Sequence, residues 1–328
     1  MKKVVLLGIF LSCLIPLFAD DARTLPARSA RFEVFSSFSF ANAYFSIQRE
    51  YTRLQQAEGK FQALNLGFSA AYGITGWLNA AVRWIPGWNV WSKTDLIFEP
   101  TRTVTLAGVY DLLTEVKFQI IGERGLVKKN RVRLTVAPQI KIPLPGPNYK
   151  EQEKRIQRGE PIVMENLDHH VFGIGGTVSF DLIINKMFFI NLYGDGMFYP
   201  IPGRVSDAGL YEYFYSTSPG IRDLRAWYRG DLRFEAEPHF EMFLTPKTVL
   251  NIGLPLNYTL NCGIQYYATM PNRPVEYQLS LGPNITFLFI HPPLPFAFRI
   301  SYSLPLWGRD QNATHSITFL AKLFITGK

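Results

Sequence analysis

The stretch from Arg229 to Glu241 gathers the side chains of this sequence that could do chemistry together. Charged residues occupy alternate positions, and apolar or small residues lie between them. A period of two predicts a β-strand with one ionic face and one apolar face. The ionic face carries Arg229, Asp231, Arg233, Glu235, Glu237, His239 and Glu241.

Two kinds of chemistry suit that ionic face. Residues at i and i+2 of a strand share a face, so His239 could bind a metal ion together with Glu237 and Glu241. The simpler interpretation is a ladder of ion pairs with no metal and no cofactor, and this is the one we adopt. In a soluble sheet the ionic face would meet solvent, whereas in an outer-membrane barrel it would line the lumen.

The remaining candidate motifs do not assemble an enzyme site. His315 and Ser316 are adjacent, but neighbours in a strand point to opposite faces and cannot pair directly. His169 and His170 fall in a predicted long loop, and the run Gly173–Gly176 lies inside a strand pattern, which favours close packing over a phosphate loop. No set of nucleophile, base and orienting residue can be assigned, so we do not expect an enzyme.

The first residues have the pattern of a secretory signal peptide. A basic start, Met1-Lys2-Lys3, precedes an apolar run that is shorter than the roughly 20 residues of a membrane-spanning helix, and Ala19 offers a cleavage site. Lipidation of Cys13 is the alternative. A mature chain would retain one cysteine, Cys262, and therefore no internal disulfide. We predict a signal peptide over residues 1–19, a short periplasmic lead over residues 20–30 and one barrel domain over residues 31–328.

Composition agrees with a secreted barrel. The chain is 15% aromatic and only 18% charged, and its mean hydropathy is +0.02. In a transmembrane barrel the apolar residues are spread one in two and never accumulate in one window. The formal charge of +8 includes Lys2 and Lys3, so a mature chain carries about +6, which we assign to loops and lumen that face anionic headgroups or solutes. Nucleic-acid binding is not expected of an exported chain without a basic recognition element.

Alternating segments recur along the whole chain. We count about twelve strands, in a range of roughly 10–14, each long enough to cross a bilayer at a tilt. Their apolar parity carries almost no charge, since an Arg or Lys there would cost roughly 2–4 kcal/mol at mid-bilayer. Long connections, including residues 87–102 and 305–315, alternate with short ones. The pattern predicts an all-β, transmembrane antiparallel β-barrel with long extracellular loops and short periplasmic turns.

The inner parity of these strands supplies the candidate pore-lining residues. They either pair across a nearly closed lumen or set the field for a permeating solute. The candidates are Asp111, Glu115, Lys117, Arg131, Arg133, Lys141, Arg229, Asp231, Arg233, Glu235 and Glu237. Four tryptophans near predicted strand ends are candidates for the interfacial aromatic girdles, namely Trp84, Trp88, Trp91 and Trp307.

Several short motifs resemble a known family. Leu25-Pro26, Leu66-Gly67-Phe68, Gly108-Val109-Tyr110-Asp111 and the run Lys141–Gly146 are similar to motifs of FadL-like and phenol-degradation MetA-pathway outer-membrane transport barrels. The resemblance covers mainly residues 20–150. It implies a monomeric barrel that passes hydrophobic or aromatic small molecules. The chain departs from the family in its short N-terminal lead, and it ends in Lys328 where such barrels usually end in an aromatic residue.

Two functions follow as hypotheses. The first is a channel or transporter for small hydrophobic or anionic solutes, integral to the outer membrane of a diderm bacterium. The second is a structural or adhesive surface barrel with a closed lumen and functional extracellular loops. Expected partners are outer-membrane lipid, a small-molecule solute and the barrel-assembly machinery, with no nucleic acid, and the chain is expected to be a monomer.

Overall fold

The computed structural model describes residues 22–53, 61–95, 103–144, 163–165, 171–204, 225–266, 274–290 and 294–326. The predicted signal peptide, including Cys13, lies outside these residues, as do the pair His169-His170 and Lys328. In the part of the chain that is described, no helix has the length and apolar character needed to cross a membrane.

Twelve antiparallel strands form the body of the molecule, and three of them are split in two. Their bounds are β1 Ser29–Ala41, β2 Phe61–Gly73, β3 Leu78–Asp95, β4 Thr103–Val109 with Leu112–Gly122, β5 Val132–Ile142, β6 Gly173–Ile183, β7 Phe188–Phe198, β8 Gly230–Thr245, β9 Thr248–Gly253 with Leu256–Asn261, β10 Glu276–Leu281 with Asn284–Phe289, β11 Phe296–Arg309 and β12 His315–Thr326. Each strand pairs with the next.

The first and last strands close the barrel. β1 pairs with β12 in continuous register from Ser29 opposite Thr326 to Phe40 opposite His315. Within the described residues, closure leaves neither β1 nor β12 as an unpaired edge, as a barrel inside a bilayer requires because lipid cannot satisfy backbone polar groups. The prediction of an all-β, transmembrane antiparallel barrel of about twelve strands is confirmed.

Alternating faces of each strand meet different surroundings. On β1, Val34 is 63% exposed and its neighbour Glu33 is 5% exposed. The same alternation gives an exposed Phe68 beside a buried Ser69 on β2. The apolar parity therefore forms the outer, lipid-facing surface, and the polar parity is turned into the lumen.

Two strands are longer than the sequence predicted. We expected β3 to end at Pro86, but it continues to Asp95, and β11 continues past Pro305 to Arg309. The β2–β3 register shifts near Gly87, whose φ of 77° suits a glycine, and the β10–β11 register shifts near Pro305. Such bulges let a strand carry a proline that cannot donate to the ladder.

Short strands order part of the end that carries the longer connections, which we call the extracellular end. Ala43–Phe45 pairs with Tyr51–Arg53 and Gln311–Asn312. A second small sheet joins Arg225–Tyr228 to Gly203–Arg204 and Ile264–Tyr266. Val163–Glu165 pairs in parallel with the first segment of β4 at this end, whereas Val127–Lys128 pairs in parallel with the second segment at the periplasmic end.

Candidate functional site in the barrel lumen

Residues 22–25 lie inside the barrel at its periplasmic end. Ala22 is fully buried, and its main-chain N–H contacts both carboxylate oxygens of Asp181 at 3.2 Å. The Gln119 side-chain amide donates to the carbonyl of Ala22 at 2.9 Å. Ala22 is thus held in the lumen by inward polar side chains of β4 and β6.

The next two residues continue the same pattern. Thr24 Oγ1 donates to the carbonyl of Gly76 at 2.5 Å, and Arg124 Nη1 donates to the carbonyl of Thr24 at 3.0 Å. The N–H of Leu25 donates to Asn79 Oδ1 at 3.2 Å. We expected residues 20–30 to be a periplasmic lead, but residues 22–25 are lumenal, because inward polar side chains satisfy their backbone groups.

A close approach to β2 anchors this N-terminal segment. The N–H of Arg28 donates to the carbonyl of Gly73 at 2.7 Å. A Cβ added at Gly73 would lie 2.0 Å from the carbonyl oxygen of Pro26. Only glycine therefore allows the segment to pass this point of the wall.

A cavity of about 460 Å³ occupies the lumen above the N-terminal segment. Three arginine–glutamate ion pairs lie on its wall: Arg83 with Glu115 at 2.8 Å, Arg233 with Glu235 at 2.5 Å and Arg299 with Glu237 at 3.3 Å. In each pair the arginine side chain is the more exposed, at 25% against 4%, 46% against 12% and 20% against 5%. The arginine side chains are therefore more accessible to solvent than the glutamate side chains.

Glu237 contacts three polar side chains of the site. Besides Arg299, it accepts hydrogen bonds from Asn284 Nδ2 at 2.6 Å and contacts His239 Nε2 at 3.0 Å. The other ring nitrogen of His239 lies 3.1 Å from Asn251 Oδ1, and the ring stacks on Phe189 at 4.3 Å. These contacts favour the ladder interpretation of this stretch over a metal site.

Glu241, the third residue of the metal hypothesis, is turned to a different partner. Its Oε1 accepts from Asn251 Nδ2 at 3.0 Å. Asn251 thus links Glu241 to His239 through its amide. His239 and Glu241 therefore lie on the same face of β8, as the period of two predicts, and the Asn251 amide on β9 connects them.

Other predicted lumen residues form separate groups towards the two ends of the barrel. At the periplasmic end Arg133 pairs with Asp181 at 3.3 Å and with Glu123 at 3.1 Å. At the extracellular end Lys141 pairs with Asp111 at 3.3 Å and lies 4.8 Å from the Tyr199 ring centroid. The Tyr199 hydroxyl donates to Asp231 Oδ2 at 2.6 Å.

The eleven candidates therefore divide by level. Lys117, Arg233, Glu235 and Glu237 line the central cavity, and Glu115 pairs with a residue that does. Arg131 and Arg229 lie just outside β5 and β8 and are exposed. The remaining four belong to the two groups near the barrel ends: Arg133 at the periplasmic end, and Asp111, Lys141 and Asp231 at the extracellular end.

Several residues that line the cavity were not among the eleven candidates predicted from the sequence. Arg83 and Arg299 fell on the inner parity of short predicted segments, and Glu33, Tyr193 and Asp195 also line the cavity. Parity was the signal that could have found them. The same parity also places the apolar lining residues inwards, although inward positions were expected to be polar.

The four tryptophans lie on the outer parity of β3 and β11. Trp88 and Trp307 are exposed, and Trp84 and Trp91 are half-buried. Trp84 packs against Phe68 at 5.3 Å and pairs with it midway along β2. It lies away from a strand end because β3 continues to Asp95.

Comparisons with known proteins bear on the fold. No protein-family model matches the sequence, and no curated protein does. A solved COG4313 outer membrane channel from Pseudomonas putida F1 is similar in structure, with a TM-score of 0.64 and 12% identity, over 94% of this chain and 99% of that one. This similarity shows the fold of an outer-membrane barrel, and for the fold it confirms the resemblance expected from sequence.

Two weaker similarities have TM-scores too low to carry an argument. The transport unit of the autotransporter AIDA-I from Escherichia coli has a TM-score of 0.49 and 7% identity, over 98% of this chain and 96% of that one. A FadL homologue from Pseudomonas aeruginosa has a TM-score of 0.39 and 10% identity, over 92% of this chain and 90% of that one.

Proposed function

We propose that this chain is an integral outer-membrane channel or transporter for small solutes, and that its lumen favours anions. The observation that carries the proposal is the common orientation of three ion pairs. Arg83, Arg233 and Arg299 line the central cavity, and each has a more exposed side chain than its glutamate partner. An anion in the cavity would meet guanidinium donors first.

The surroundings of the cavity strengthen this preference. Charges that line a narrow passage between low-dielectric walls act over longer distances than charges in bulk water. Lys117 adds a fourth cationic side chain to the lining, which also carries four carboxylates, those of Glu33, Asp195, Glu235 and Glu237. The charges balance in number, so the expected selectivity comes from the greater exposure of the arginines and is a preference for anions, not an exclusion of cations.

A closed surface barrel is the second candidate. The buried N-terminal segment favours it, since residues 22–25 occupy the periplasmic end of the lumen. In the channel account the same segment must shift or leave before a solute passes. The hydrogen bonds of residues 22–25 to the wall oppose that movement.

The same proposal implies where the protein is located in the cell and which partners it has. Outer-membrane lipid would cover the exposed apolar parity, and the barrel-assembly machinery would insert the chain after removal of a signal peptide. Closure of β12 on β1 leaves neither edge for strand pairing with another copy, so a second copy could associate only through the outer wall or the loops.

Reversal potentials test the proposal directly. The full-length protein is refolded into planar bilayers under a KCl gradient, as wild type and as Arg83→Gln, Arg233→Gln and Arg299→Gln. Each variant should shift the reversal potential towards cation preference. Arg131→Gln is the matched control, since this arginine is exposed outside the strands. Equal reversal potentials for wild type and all three lumen variants would contradict the proposal.

A further inference from the structure

The central cavity has an apolar side that the channel proposal does not use. Four half-buried apolar side chains line it from neighbouring strands: Leu320 on β12, Phe35 on β1, Ile85 on β3 and Leu113 on β4. We call these four residues the apolar wall. They point inwards, against the rule that lumen-facing positions of a barrel are polar.

Strand pairing makes the apolar wall continuous. Phe35 lies in register with Leu320 on one side and with Gly67 on the other. Gly67 has no side chain, and a Cβ there would lie 3.3 Å from the Cα of Ile85 and 2.3 Å from the carbonyl oxygen of Trp84. The bulge of β3 thus approaches β2 closely, and Phe35 and Ile85 become neighbours across a glycine.

Charged residues lie across the cavity from the apolar wall. Asp195 is on β7 and Arg233 is on β8, and β1 and β7 are half a turn apart in a barrel of twelve strands. Arg83 pairs with Leu113 and Arg299 pairs with Leu320, so two arginines border the apolar wall. One side of the cavity therefore carries an apolar patch, and its borders and the opposite side present guanidinium groups, the latter beside the carboxylates of Asp195 and Glu235.

We infer that the central cavity binds a small amphipathic organic anion, with its apolar body on the apolar wall and its carboxylate on the arginines. This rests on the proposed function, because it names the class of solute for the same cavity. The volume of about 460 Å³ falls within the roughly 300–1,000 Å³ of cavities that hold small organic ligands. A simple inorganic anion would leave Phe35 and Leu113 facing water.

The experiment compares ligands that share one half of this chemistry. Hexanoate, acetate, 1-hexanol and hexylammonium are titrated calorimetrically into the full-length barrel in detergent micelles, and titrations into empty micelles are subtracted. Hexanoate should bind about tenfold or more tightly than acetate, since each buried CH₂ favours binding. It should also bind more tightly than 1-hexanol and hexylammonium, which lack the anionic head.

Variants assign the binding to this cavity. Phe35→Ala should bring hexanoate close to the affinity of acetate, and Arg233→Gln should weaken both anions by about tenfold. Phe38→Ala is the matched control, the same substitution on the outward face of the same strand, and should leave both affinities unchanged. The ligand series on the unmodified protein tests the inference even if a variant does not fold.

The outcomes separate this inference from the channel proposal. Hexanoate that binds no better than acetate, or no better than 1-hexanol, would overturn the inference even if the pore is anion-selective. Hexanoate binding with the expected pattern in a barrel without anion preference would overturn the channel proposal and leave the ligand class standing.

Discussion

Ala22 and Asp181 meet inside the barrel, where the main-chain N–H of Ala22 lies 3.2 Å from each carboxylate oxygen of Asp181. The two residues are 159 positions apart in sequence. Asp181 also pairs with Arg133, so one carboxylate holds both the N-terminal segment and the charge of β5. A change at Asp181 should therefore affect both the position of residues 22–25 and the ion pair in the barrel wall.

The first prediction concerns that carboxylate. Asp181→Asn removes the charge but keeps a carbonyl oxygen, so it should weaken the hold on Ala22 and raise the fraction of time in a larger conductance state. Single-channel recording measures this. Asp111→Asn, at the other end of the lumen, is the control and should leave that fraction unchanged. An identical distribution of conductance states in wild type and Asp181→Asn would show that Ala22 does not obstruct the pore.

The second prediction uses the close approach at Gly73. Gly73→Ala would place a Cβ 2.0 Å from the carbonyl oxygen of Pro26, so it should displace the N-terminal segment. Gly76→Ala is the matched control, because its Cβ would meet nothing nearer than Arg124 Cβ at 3.8 Å. Trypsin cleavage after Arg23, followed by mass spectrometry, reports the displacement. Cleavage should accelerate in Gly73→Ala only, and equal rates in the two variants would count against a docked segment.

The third prediction concerns the seam of the barrel. Glu33 on β1 pairs with Lys322 on β12 at 3.2 Å, both are buried, and Ser69 also donates to Glu33. Breaking a buried ion pair by removing one partner costs about 3–5 kcal/mol. Glu33→Ala should therefore lower the free energy of unfolding by about that amount in urea titrations. Ser39→Ala, on the same strand, should change it little, and a loss below about 1 kcal/mol in Glu33→Ala would argue against a structural pair.

The fourth prediction tests the two faces with adjacent residues. Ile300 is exposed on the outside of β11 near its middle, and Ser301 lines the cavity. Ile300→Arg should destabilise the barrel by roughly 2–4 kcal/mol in lipid, because a cation would face the hydrocarbon. Ser301→Arg should destabilise it less and should alter conductance. If the two substitutions reversed in effect, the assignment of inside and outside would be wrong.

Local pattern predicted much of this fold. The period of two along β4, β5 and β8 identified those strands and their inner faces, because a side chain on a strand has only two directions. The same rule failed at Pro86, where a proline followed by a glycine resembles a turn. The bulge that keeps β3 continuous depends on Gly67 of the neighbouring strand, which no local window contains.

The site was less predictable than the strands. The contacts of Ala22 with Gln119 and Asp181 span about a third to half of the chain and have no local signal. The inward direction of Phe35 contradicts the usual polar lumen, and the greater exposure of Arg233 relative to Glu235 depends on the three-dimensional wall. Parity supplied the residue types, and tertiary packing decided which of them reach the cavity.

The measurement that tests the central claim most directly is single-channel recording of the refolded full-length protein in planar bilayers under a KCl gradient. The account predicts discrete current steps with a reversal potential on the anion-selective side, since Arg83, Arg233 and Arg299 face the cavity. A barrel that is folded and inserted but never conducts, even after the N-terminal segment is displaced by Gly73→Ala, would contradict it and leave the closed surface barrel.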